Sequence, residues 1–221
     1  KTPHSVFRKR QVRASQSTPE EEQLHQQSKQ QYPELSLSPG EYVLERVNRH
    51  PIGLFTIWAM TALITLLAIL LVPFYASNKD SLATTLNIQA NSLPSTDMFL
   101  LPAFILAAFF MIGGFVATYV YNQNRFYITT ESIVQFVQYS LFSSKQQVVN
   151  LINVEDVSAD KHGILQQMLN YGTLRLSTQG EETIYHFQFV ANPDGVIHRI
   201  NDAVEIAVQR LEGSNLPPTE L

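Results

Sequence analysis

The side chains able to do chemistry are scattered along this chain. Six histidines occur, at His4, His25, His50, His162, His186 and His198. Metal-assisted hydrolysis would need two of them on one helical face beside an acid, as in HExxH, or an acidic metal loop. Neither spacing is present. His198 and Asp202 stand four apart and read as a surface pair on one helix face. His186 alternates with Tyr185 and Phe187 and reads as an outward strand residue. The acid pairs Glu155-Asp156 and Glu181-Glu182 read as solvated faces. There is no cysteine, which removes disulfides, thiolate metal sites and Cys nucleophiles. No nucleophile-elbow, phosphate-loop or dinucleotide signature occurs. A catalytic centre, a metal site and a cofactor are not expected.

Two clusters carry binding chemistry instead. Phe7–Val12 and the residue after it hold Arg8, Lys9, Arg10 and Arg13, four basic residues in seven. Such a cluster can touch anionic lipid at about 1 kcal/mol per charge, and a solvated tail start explains it equally well. Nucleic acid is not favoured as its partner. The second cluster is Ile164, Leu165, Met168 and Leu169, at spacings that share one helical turn. It marks a protein or membrane contact, or else a loop tucked over the core.

These clusters are positioned by two apolar runs. Pro51–Tyr75 and Met98–Tyr121 contain no Asp, Glu, Lys, Arg or His. Each is about 24 residues long, where roughly 20 span a bilayer as a helix. The 13 Leu, Ile, Val and Phe residues of the first run favour insertion by an amount on the order of 4 to 8 kcal/mol. Eight of the 15 Lys and Arg residues precede the first run, and the stretch between the runs has only Lys79. Positive residues stay inside. The expectation is therefore a multi-pass protein of the cell inner membrane with both termini cytoplasmic. In the second run Ala103, Ala107, Gly114 and Thr118 form a small-residue face for close helix packing, within the hairpin or in a dimer. The spans hold no ionisable residue, which argues against an ion pathway.

The remaining chain divides by its periodicity. Residues 1–40 carry seven Gln and few apolar residues and read as a disordered cytoplasmic tail. Thr18-Pro19-Glu20-Glu21 looks like a helix start, but the following segment is polar all round. Residues 41–50 read as a juxtamembrane strand or helix, with strand preferred because His50 precedes Pro51. Residues 51–75 and 98–121 are the spans and 76–97 an extracytoplasmic loop. Over 122–213 the period first turns to two: Arg125–Thr129, Ile133–Tyr139, Gln147–Val157, Gly172–Ser177 and Glu181–Val190 read as strands. Leu174 and Leu176 share one face, as do Tyr185, Phe187 and Phe189. Asn192-Pro193-Asp194 then opens a helix with an apolar stripe through Val196, Ile197, Ile200, Val204, Val208 and Leu211, which Gly213 ends before a flexible tail at 214–221.

The order of these pieces resembles the bacterial pleckstrin-homology-like (bPH2, DUF304) family of membrane-anchored domains. The matching residues are Glu41 to His50-Pro51 before the hairpin and Arg125-Phe126-Tyr127-Ile128-Thr129 after it. They continue with Leu151–Val157, Tyr171-Gly172-Thr173-Leu174-Arg175-Leu176, and Phe189–Pro193 leading into the helix. The resemblance implies an α+β fold: a two-helix transmembrane hairpin followed by a pleckstrin-homology-like antiparallel β-barrel, about seven strands and partly open, capped by a C-terminal amphipathic helix. Lipid headgroup binding is not carried over, because the turn Thr129-Thr130-Glu131-Ser132 is acidic and residues 122–213 hold six basic against ten acidic residues. The expected role is a non-enzymatic interaction module held at the cytoplasmic membrane face for a protein partner or a second copy. A membrane-lipid-binding or envelope-stress sensor and an accessory subunit of a transport or secretion assembly are the alternatives.

Overall fold

The strand before the first apolar run and the first three strands after the second belong to one sheet. The computed structural model describes residues 18–178 and 181–215. The chain divides into two units, Pro51–Gln123 and a discontinuous domain made from Lys1–His50 and Asn124–Leu221.

In the first unit α2 (Ile52–Thr85) and α3 (Asp97–Gln123) are joined by a short connection with one 3₁₀ turn, Ala90–Ser92. Both are long and apolar enough to cross a membrane, and only 17% and 11% of their most apolar windows is buried. A core helix of a water-soluble protein would be mostly covered, so these faces suit lipid. The expected loop 76–97 is shorter than anticipated, because α2 continues through Ala76–Thr85. Extending an existing helix adds one bond per residue with no new nucleation, and Thr84 and Thr85 bond back to the carbonyls of Asp80 and Ser81.

The domain has seven strands: β1 (Val43–Val47), β2 (Arg125–Thr129), β3 (Ser132–Ser140), β4 (Ser143–Asn150), β5 (Val154–Asp160), β6 (Tyr171–Thr178) and β7 (Glu181–Ala191). They form two antiparallel sheets, β1-β2-β3-β4 in one order and β5-β6-β7 in the other. An isolated backbone bridge, Arg49 to Val190, joins the sheets. The barrel is therefore not closed. The helix α5 (Pro193–Asn215) lays Val196, Ile200, Ala203 and Ala207 into the core with Phe126, Ile128, Leu174 and Leu176. Each fully buried Val, Leu, Ile or Phe contributes about 1.5–3 kcal/mol. Helix α5 runs to Asn215, past the expected stop at Gly213; a glycine costs a helix only about 1 kcal/mol. Residues 216–221 lie outside the described residues.

Strand β2 is buried on both faces. Phe126 and Ile128 point into the core, whereas Tyr127 packs beneath Leu35, Tyr32 and Leu37 of the N-terminal segment. Disorder expected for residues 1–40 is thus corrected over 18–40. Thr18 caps α1 (Pro19–Gln31) in a reciprocal capping box with Glu21, and the apolar anchors that hold the segment lie after the helix. Glu34 pairs with Arg125 at 2.8 Å and accepts from the Tyr127 hydroxyl at 2.8 Å. Burial alone would raise the Glu34 pKa, but its backbone hydrogen bond, the Tyr127 hydroxyl and the Arg125 charge outweigh that and hold it below 4.5. Burial, then the bond to Glu34, pushes Tyr127 upward. Glu41 is buried and accepts from Thr129 Oγ1 at 2.5 Å, Ser132 Oγ at 2.7 Å and the Ser38 amide at 2.7 Å. The acid at the start of the strand segment is a buried acceptor that ties the N-terminal segment to the β2–β3 turn.

Candidate functional site at the open mouth of the domain

The inward-facing positions change character along each strand of the first sheet. On β3 the series runs Ile133, Gln135, Val137 and Tyr139. On β4 it runs Val149 to Gln147, on β2 Ile128, Phe126 and Asn124, and just past β1 it runs Val47 to Arg49. Ile133, Val149, Ile128, Phe126 and Val47 sit in the core with α5. The other members, Val137 and Tyr139 included, line a cavity of about 360 Å³ with residues of β7. The domain is filled by α5 on one side and open at a polar mouth on the other.

Gln135, Arg49 and Asn124 are each held in place by their side chains. Gln135 is buried and its Nε2 donates to the His186 carbonyl at 2.9 Å, which links the two sheets. Arg49 Nε donates to the Gln188 carbonyl at 3.1 Å, and the guanidinium carbon lies 5.6 Å from the ring centres of both Phe187 and Phe189. A flat, weakly hydrated cation suits an aromatic surface. The expected single face for Tyr185, Phe187 and Phe189 is corrected here. Phe189 adopts a left-handed φ of 58°, which breaks the alternation, so that Phe187 and Val190 are the core residues.

The residues that flank the hairpin in the chain are themselves fixed within the domain. The His50 amide donates to the Phe189 carbonyl at 2.6 Å, and the Ala191 amide to the Asn48 carbonyl at 3.2 Å. The His50 ring stacks on Tyr171 at 5.0 Å. Asn124, the residue between α3 and β2, imitates a strand pair with its side chain: Nδ2 donates to the Gln138 carbonyl at 3.2 Å and Oδ1 accepts from the Gln138 amide at 3.1 Å.

A scan of protein families matches residues 81–208 to one described as bacterial PH domain. The chain belongs to the bacterial PH domain family. The match takes in α3, β2 to β7 and most of α5; β1, which completes the first sheet of this bacterial PH domain, precedes the matched residues. No curated protein and no solved structure matches the chain.

The expected binding residues fall at different places in this bacterial PH domain protein. Ile164, Leu165 and Met168 lie on the short helix α4 (Ile164–Met168) between β5 and β6 and are strongly exposed, with Leu169 beside them less so. They do not tuck over the core. Lys161 anchors the loop to Asn170 at 2.8 Å and to Asp194 of α5 at 2.5 Å. Arg8, Lys9, Arg10 and Arg13 lie outside the described residues. In the hairpin Ala107 and Gly114 are buried, and Ala103 and Thr118 are half-buried. A Cβ at Gly114 would come within 2.8 Å of Thr61 Oγ1, so Gly114 belongs to the intramolecular seam; Gly113 faces open space. His198 and Asp202 are joined by no hydrogen bond or ion pair. No group of three or more His, Asp or Glu suited to a metal occurs among the described residues.

Sequence reading missed the mouth and the β3–β4 turn. Gln135, Gln147 and Asn124 are residue types that usually face water, and only their register with Ile133, Val149 and Phe126 shows that they point inward. The turn Leu141-Phe142 has none of the Gly, Asn or Asp that announce a hairpin, yet Phe142 is 97% exposed.

Proposed function

We propose that this bacterial PH domain protein is a non-enzymatic interaction module, held by its own hairpin at the cytoplasmic face of the inner membrane. The observation that carries the reading is the insertion of the hairpin between β1 and β2. Val47 pairs with Phe126 across it, so the hairpin is inserted within the domain's chain, with a paired strand on each side. The binding surface consists of the mouth and the two sheet edges. Among the described residues β4 pairs only with β3 and β5 only with β6. Such edges present backbone donors and acceptors to an added strand of a partner. The single arginine and the amides of the mouth suit the hydrogen-bonding groups of a polypeptide better than a phosphate, which calls for clustered cations.

Two experiments test this reading. Purification from native membranes with crosslinking should recover a stoichiometric protein partner or a defined oligomer; a lone monomer contradicts the module. The chain has no native cysteine, so single cysteines report topology directly. Ser92→Cys should react with an impermeant maleimide in spheroplasts and Ser143→Cys should not; the reverse overturns the cytoplasmic placement.

A further inference from the structure

Two glutamines stand opposite each other on the inward face of the first sheet. Gln135 of β3 is the register partner of Gln147 of β4, and both line the mouth. Opposed side chains on one face of an antiparallel pair start about 4.5–5.5 Å apart at their Cβ atoms. That is close enough for two amides to bond, yet no hydrogen bond joins these two among the described residues. The Gln135 amide makes one bond there, from Nε2 to the His186 carbonyl. The half-buried Gln147 amide makes none. Gln135 is only 5% exposed, so its Oε1 is an acceptor withdrawn from bulk water without a donor of its own. The atom is not enclosed by its neighbours; it opens on the cavity that the residue lines.

The lining decides what kind of donor belongs there. None of the residues around the cavity is an Asp or Glu, and Arg49 is a permanent cation. An ammonium or guanidinium group would enter against that charge with no carboxylate to receive it, so the donor is neutral. Gln147 offers an N–H and a C=O side by side. The neutral group that donates to one amide and matches the donor and acceptor of another is itself a carboxamide. A volume of about 360 Å³ is at the low end of the roughly 300–1,000 Å³ of small-ligand clefts, and Val137 and Ile184 give apolar surface for a side-chain stem.

We propose that the mouth is a carboxamide pocket, which takes an Asn or Gln side chain of a partner polypeptide. Gln135 Oε1 accepts the N–H of that side chain, and Gln147 completes the amide-to-amide pair. The proposal rests on the reading of the mouth as a polypeptide-binding surface. All the residues it uses belong to the discontinuous domain.

The test selects a random peptide library, depleted on empty nanodiscs, against the full chain in nanodiscs. Enriched peptides are then measured by fluorescence anisotropy on the parent chain, Gln147→Ala and Gln135→Met, with the urea midpoint of each variant as a check on folding. The expected peptides share one Asn or Gln, and its replacement by Asp or Leu weakens binding about ten-fold. Gln147→Ala should weaken binding about five-fold, the scale of one hydrogen bond, with the urea midpoint unchanged because that amide bonds nothing in the free domain. Gln135→Met should weaken it further. Peptides that bind as well with Leu at the shared position, or that bind the parent and Gln147→Ala alike, overturn the pocket and leave the polypeptide-binding module standing through its sheet edges. A shared Asp or Glu assigns the mouth to an anion and overturns the carboxamide. Selection that enriches no peptide overturns the pocket and the polypeptide-binding reading together.

Discussion

The β3–β4 turn and the β5–β6 loop both hold large apolar side chains in the open, and the fold gives them different surroundings. The turn borders the polar mouth through Tyr139, in a stretch without acids. The loop borders the start of α5, pinned by Lys161 to Asp194. Exposure alone would rank Ile164, Met168 and Phe142 together. What separates them is the charge around them: no Asp or Glu occurs from Ser132 to Val154, whereas the loop lies between Asp160 and Asp194, with Lys161 paired to the latter. The comparison extends to the interior: the side of the domain under α5 is apolar and packed, and the mouth is hydrogen-bonded.

Stability should divide along the same line. Ile200→Ala, at a fully buried position of α5, should cost about 2–4 kcal/mol in urea unfolding of the detergent-solubilised chain. Gln135→Ala in the mouth should cost less, about 1–2 kcal/mol, chiefly by leaving the His186 carbonyl without its donor. A mouth variant that costs more than the α5 variant would break the comparison. Arg49→Lys keeps the charge but loses the planar stack on Phe187 and Phe189, and should cost below about 1 kcal/mol. The smallest effect belongs to the outer face of the first sheet. Glu34 titrates below its ordinary 4.5 when folded, so its contribution is complete above that value and fades as pH falls through the folded pKa. Tyr127, raised above 10.0, contributes fully below 10.0 and loses that contribution as pH rises through its folded pKa. Glu34→Gln should therefore lower the unfolding free energy at neutral pH by less than about 1 kcal/mol, since the pair is partly exposed. The difference from the parent chain should shrink on acidification.

The sequence made the repetitive elements legible and left the mixed ones obscure. Two charge-free runs mark the spans, and the alternation in Gly172–Ser177 identifies Leu174 and Leu176 as core, as the structure has them. The segment Thr18–Gly40 hid its order, because α1 buries only His25 and Ser28 and its anchoring contacts come from Tyr32, Leu35 and Leu37 beyond it. Glu41 reads as a surface acid until Thr129 and Ser132, distant in sequence, are seen to donate to it. The mouth was hidden for a related reason: amide side chains at inward positions can be read only once strand register is known.

The central claim is that the apolar hairpin is inserted between two paired strands of one domain, with β1 as a working strand of the sheet. Amide hydrogen exchange on the full chain in nanodiscs tests it most directly. The account predicts that the peptide covering Val43–His50 is protected as strongly as the one covering Arg125–Thr129, since β1 bonds to β2 and its continuation bonds to β7. Exchange of Val43–His50 at the rate of an unstructured chain, while β2 and β3 stay protected, would contradict it.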